Sequence, residues 1–307
     1  MSDNRLISER CQSSPFLSLD DAMKTEHTIE WLFRRLTVHF GTTVDYHGLE
    51  PSHQEPFSRS TAFFPGGYGL WGISQGKPLP AMPRHGIMIL GNDFGKRLGS
   101  RGELNGPTWR GLTNKVKDSS KNGTISAGVL DEAGVDLSKC FFTNAYMGIR
   151  SGGPQKGPSS ALLELDSRGK FLAKCLAFFK DQLRAQEPTL IVSLGTFVPP
   201  FIELFRNGNL PSESSIRSLK LQVSLERFNN ENGISLLRYE LPMNKAKSAI
   251  LLFLTHPSHA DLNRKNRAYG NFDAKSGKDE ATRRSLGRSA EIAMLRDAIK
   301  RAGIKAS

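Results

Sequence analysis

Cysteine is scarce in this chain of 307 residues: there are three, Cys11, Cys140 and Cys175, widely separated and odd in number. That argues against a disulfide framework and against a Cys-x-x-Cys site for zinc or an iron–sulfur cluster, and it leaves Cys140 and Cys175 to read as buried thiols. Long apolar runs are missing too. None approaches the ~20 residues of a membrane span, and the opening Met-Ser-Asp-Asn-Arg lacks the apolar core of a signal peptide. A cytoplasmic protein with no membrane partner is expected. A Walker lysine loop is absent, which weighs against a nucleotide-binding or flavodoxin-like α/β protein, and no internal repeat is visible. Acidic residues are outnumbered 30 to 42 by Lys and Arg, for a net charge of +12. Such a surplus suits a polyanionic partner, nucleic acid first and an anionic membrane surface second.

What is present is a set of short, unbroken apolar runs. Ile87 to Leu90 lie between Gly86 and Gly91, with no polar alternation, as in a strand covered on both faces. Lys139 to Asn144, Leu190 to Leu194 and Ala249 to Leu254 repeat the pattern. Helical spacing separates them. Ile29, Leu32, Phe33 and Leu36 mark one helix, closed by Gly41; a second begins at Ser159 and runs through Leu172, Leu176 and Phe179, with Gly169 a point of interruption. A short helix is expected from Val198 to Phe205, and a final one carries Ile292, Leu295 and Ile299.

Four buried strands separated by helices predict an α/β fold, a three-layer α/β/α sandwich around a central four-stranded, mainly parallel sheet. Residues 1–47 read as a loose leader and a helix. Residues 48–307 read as one domain, with insertions at 48–85 and 207–246 and a basic segment at 259–307. The first insertion holds Phe57, Phe63, Phe64, Tyr68 and Trp71, as a cover for the sheet edge or a wall of a ligand site. The second is expected to add one or two strands.

Three of the strands stop at polar side chains: Asn92 and Asp93, then Asn144, then His256. Ligands of open α/β sheets bind at the carboxyl ends of strands, so a carboxylate, a carboxamide and an imidazole would converge there. The spacing His256-x-x-His259 suits a metal, but no third ligand stands nearby, and neither a metal nor a cofactor is expected.

On these residues the chain resembles the uracil-DNA glycosylase superfamily. Gly91-Asn-Asp-Phe-Gly95 resembles its first motif, Thr143-Asn144-Ala145 its base-reading strand, Leu190 to Gly195 its intervening strand and His256-Pro257-Ser258 its second motif, in the family's order over residues 85–265. The resemblance implies a DNA glycosylase that flips out a pyrimidine and hydrolyses its N-glycosidic bond, leaving an abasic site. Asp93, with Asn92 beside it, would orient the attacking water; His256 would donate to the leaving base, and Asn144 would read its edge. Phe94 and Trp109 compete as the stacking platform. Ser258, Leu262 as a wedge, and Arg264, Lys265 and Arg267 would contact DNA, single- or double-stranded, with the protein acting as a monomer. The uracil-selective branch carries a tyrosine where Phe94 and Gly95 stand here, so Gly95 leaves room for a base enlarged at carbon 5. Uracil and a hypermodified phage pyrimidine are therefore both expected substrates, in repair or in anti-phage defence. A non-catalytic DNA- or modified-base-binding module on the same fold is the alternative.

Overall fold

The computed structural model describes residues 28–40, 49–51, 63–64, 81–93, 116–117, 125–126, 128–150, 166–208, 234–241, 245–257 and 263–305. The chain has an α/β fold built on a mixed five-stranded sheet. Its strands are β1 (Ile87–Gly91), β2 (Cys140–Asn144), β3 (Leu190–Leu194), β4 (Ile234–Leu241) and β5 (Lys245–Leu254). In space they run β2, β1, β3, β5, β4. The first four in that order are parallel, paired from Ile87 with Cys140 and Leu190, and from Leu190 with Ile250. Every residue of β1, β2 and β3 is buried, which is why these strands contain unbroken apolar runs.

β4 makes the sheet five-stranded rather than four-stranded, and it is one of the added strands expected within 207–246. It arises inside the segment read as an insertion, 207–246, and closes the sheet as an antiparallel edge with Leu237 opposite Ala249. Leu237 and Tyr239 face inward while Leu236, Arg238 and Glu240 are exposed. That period-two alternation marks a strand with only one face covered.

The helices are α1 (Ile29–Phe40), α2 (Val129–Glu132), α3 (Asp166–Gln186), α4 (Val198–Asn207) and α5 (Glu280–Arg301). α1 buries Ile29, Leu32, Leu36 and Phe40 in the common core against α3, with Arg35 and His39 both bonded to Asp181 at 2.6 and 2.7 Å. It is thus a working part of the domain rather than an appendage to a leader. α3 continues through Gly169 without a break; the expected start at Ser159 lies outside the described residues. α4 packs on α3 through Phe201 and Phe179, ring centroids 5.4 Å apart. α5 packs on β5 and α2, where Arg288 bonds Glu132 at 2.6 Å. Of the 48–85 segment, Phe63 and Phe64 are described. Both are buried, and Phe64 N–H donates to the Phe142 carbonyl at 2.8 Å, sealing the outer edge of β2.

Candidate functional site

The carboxyl edge of the sheet is where the polar residues collect. Asn144 ends β2; Gly91 ends β1 and leads into Asn92 and Asp93; Gly195 follows β3; His256 stands two residues beyond β5. With neighbouring strands ~4.8 Å apart, three intervals put the backbones of Asn144 and His256 about 14 Å apart. Side-chain direction closes much of that gap. The Asn144 carboxamide lies over Gly91 so closely that a Cβ there would overlap its Oδ1, and the same Cβ would stand 3.0 Å from the Phe63 ring. His256 packs over Gly195, where an added Cβ would meet the His256 Cβ at 3.0 Å. Gly195 has φ +86°, a left-handed conformation that side chains other than glycine's resist. The two outer side chains therefore sit above β1 and β3, adjacent strands about 5 Å apart.

That location has a topological meaning. From β1 the chain moves outward to β2, then returns across β1 to β3 and continues to β5. The strand order reverses between β1 and β3, and such a reversal opens the crevice in which α/β sheets bind ligands.

Asp93 is buried, 6% exposed, at this reversal. Two backbone bonds extend the pairing of β1 and β2 past their ends and fix its approach: Ala145 N–H to the Gly91 carbonyl at 2.9 Å, and Tyr146 N–H to the Asn92 carbonyl at 2.8 Å. Burial drives the Tyr146 phenol above its ordinary pKa, with nearby Cys175 and the Asp93 carboxylate adding to the effect. Tyr146 thus stays neutral beside Asp93, its ring edge-on to Phe201 at 5.3 Å.

Asn144 is 1% exposed, and neither its Nδ2 nor its Oδ1 has a hydrogen-bond partner among the described residues. Leaving a buried polar group unpaired costs about 1–3 kcal/mol, so an amide with both ends open is a strained arrangement that a complementary ligand edge relieves.

Behind His256 lies a cluster that sequence reasoning missed. Glu291, on α5 and 1% exposed, accepts from Thr255 N–H at 2.7 Å and from the Thr255 hydroxyl at 2.9 Å. It also accepts from Arg264 Nε at 2.8 Å and Arg267 Nε at 3.0 Å. Burial works to raise the Glu291 pKa, but the Arg267 and Arg264 guanidiniums and these hydrogen bonds prevail and hold it below the usual glutamate range.

Arg267 needs correction as a DNA contact. It is 1% exposed, bound to Glu291 and to the Phe253 carbonyl at 2.6 Å, so it anchors the core and offers nothing to a phosphate. Arg264 shares Glu291 and has a side chain only 11% exposed. Lys265 is half-buried and, with Lys278, Arg283, Asp279 and Glu280, lines a cavity of about 340 Å³. Phe94, Gly95, Trp109, Ser258 and Leu262 lie outside the described residues. Among the described residues no three His, Cys, Asp or Glu side chains are grouped to hold a metal, and no helix is long and apolar enough to cross a membrane. Comparison of the chain with models of protein families and with curated proteins finds no match.

Proposed function

We propose that the chain is a monofunctional DNA glycosylase of the uracil-DNA glycosylase type, a three-layer sandwich in which α2 and α5 cover one face of the sheet and α1, α3 and α4 the other. Right-handed crossovers support that layering, since β1 to β2 and β2 to β3 run in opposite directions. The observation that carries the reading is Asn144: a buried carboxamide with donor and acceptor both open, over a glycine, at the same sheet edge as a buried carboxylate and an imidazole. A pyrimidine edge offers the matching acceptor and donor pair.

Hydrolysis of the glycosidic bond leaves positive charge on the sugar and a negative charge on the departing base. Asp93 holds a water against the anomeric carbon, stabilises the cationic sugar and takes the water's proton. The bond's electron pair leaves with the base, where His256 donates a hydrogen bond to the developing oxyanion. The crevice admits only a base turned out of the helix, and Lys265 with the surrounding basic surface meets the backbone phosphates. Uracil and a 5-substituted pyrimidine are both substrates of this reading.

The test is abasic-site formation on oligonucleotides carrying uracil and on DNA carrying 5-substituted pyrimidines. Excision should fall about 10²- to 10⁴-fold in Asp93→Asn and about 10²- to 10³-fold in His256→Ala, with DNA binding retained. Wild-type rates in either variant refute the roles; binding of one modified DNA with no excision of any base leaves a recognition module instead.

A further inference from the structure

We propose that Glu291 is a positioning residue for His256, gripping the residue before it and tying that grip to the basic segment at 264–267. The rate consequence rests on the glycosylase reading; the positional consequence does not.

Thr255 is the sole link between the last residue of β5 and His256, and both of its side-chain and backbone donors end on one carboxylate. An extended strand end with no such partner would leave the Thr255 N–H and hydroxyl buried and unpaired, since Thr255 is 2% exposed. On the opposite side, Gly195 N–H donates to the Leu254 carbonyl at 2.8 Å, and Gly195 itself lies against the His256 Cβ. His256 is therefore held between a glycine turn after β3 and a carboxylate on α5.

The carboxylate does more than satisfy Thr255. Its other hydrogen bonds go to Arg264 and Arg267, which flank Lys265 at the rim of the charged cavity. Gly287, one turn before Glu291 on α5, lets the helix approach so closely that a Cβ would collide with the Arg264 carbonyl. Segment 264–267, α5 and the end of β5 thus form one packed unit. A phosphate pulling on Lys265 acts on the neighbours of the groups that hold Thr255. A charged carboxylate accepting four donors is also the stiffest such support, because charge-assisted bonds are stronger than neutral ones.

Three variants of the full chain test this. Thr255→Val keeps the shape and the backbone bond but removes the hydroxyl bond to Glu291; Thr255→Ser restores it; Glu291→Gln keeps the volume and removes the charge. Single-turnover excision should drop about a hundredfold in Glu291→Gln, the cost of a misplacement of roughly 1 Å, and clearly in Thr255→Val, with recovery in Thr255→Ser. The dissociation constant for abasic-analogue DNA should stay within about threefold, or 0.7 kcal/mol. In parallel, the imidazole resonances and titration midpoint of His256, read by NMR, should move in Glu291→Gln and Thr255→Val and return in Thr255→Ser. Should Glu291→Gln fail to fold, the Thr255 pair carries the test. Wild-type His256 resonances in folded variants overturn the proposal, as does a loss of excision matched by equal loss of DNA binding. If the wild type excises nothing, the glycosylase reading fails while the NMR comparison still decides the positional one.

Discussion

Gly91→Ala is the most incisive perturbation of the site. Gly91 is a strand residue paired with Asn144 and has no left-handed φ, so alanine imposes no backbone strain, and the entropy it removes from the unfolded chain stabilises by about 0.4–1 kcal/mol. What opposes it is local. The new methyl would overlap Asn144 Oδ1 and press on the Phe63 ring at 3.0 Å, against an ordinary contact of 3.4 Å or more. The ring gives by a few tenths of an ångström; the carboxamide must turn away by roughly 1 Å, a displacement that costs about a hundredfold at a reacting centre. Overpacking of this kind costs about 1–3 kcal/mol, so net stability should fall by no more than ~2.5 kcal/mol. If the chain excises a base as proposed, single-turnover excision and thermal unfolding, measured together, should show about a hundredfold loss of rate beside a stability loss within that ~2.5 kcal/mol. Because the damage runs through Asn144, the double variant Gly91→Ala, Asn144→Ala should be no slower than Asn144→Ala alone. On the proposed glycosylase reading, additive losses, or a Gly91→Ala variant with wild-type rate, would refute the placement of Asn144 over the everted base.

The Glu291 carboxylate is held below its ordinary value of 4.5 in the folded chain, so its contribution to stability is whole above that pH and is lost as pH falls beneath it; Glu291→Gln should flatten the acid limb of a stability–pH curve. Gly287→Ala drives a methyl against the Arg264 backbone carbonyl and should destabilise by about 1–3 kcal/mol in urea titrations, whereas an unchanged midpoint would contradict the close approach of α5. Burial, with the Asp136 charge adding, pushes the Cys140 thiol up to about 12, and burial raises Cys175 as well. In a Cys11→Ser background neither should react with a water-soluble disulfide reagent until the protein unfolds. If Lys265 and its neighbours meet phosphates, log Kd plotted against log salt should have a slope of about 0.9 per phosphate contacted, and Lys265→Ala should reduce it; a flat plot argues against the contact.

Parts of this fold were legible because burial on both faces leaves a short unbroken apolar run, here bounded by glycines and polar residues. Ile87 to Leu90 and Leu190 to Leu194 have no polar residue that water could reach, and the one hydroxyl among them, Ser193, is itself fully buried. β4 was harder to read, since Leu237 and Tyr239 alternate with exposed neighbours and the run follows a long segment rich in Ser, Asn and Glu. Asp93, Asn144 and His256 could be found as the polar ends of apolar runs, but the glycines that steer two of them could be seen only in three dimensions. Glu291 had no local mark. Its partners lie 24 to 36 residues away, and a glutamate in a basic helix reads as part of a solvated face. Arg267 was misread for the same reason: charge in a sequence carries no record of burial.

The dependence of Thr255 on α5 also bears on how the molecule comes into being. A nascent chain that has reached His256 already contains every strand of the sheet, yet the carboxylate that steadies the histidine's neighbour is still to be synthesised. The polypeptide must emerge beyond residue 291 before its buried arginines find their counter-charge. Every strand is therefore made before the support of the site during translation, and a product cut short within 257–290 lacks both the Glu291 carboxylate and the core residues Met294, Leu295 and Ala298 of the helix that packs on β5.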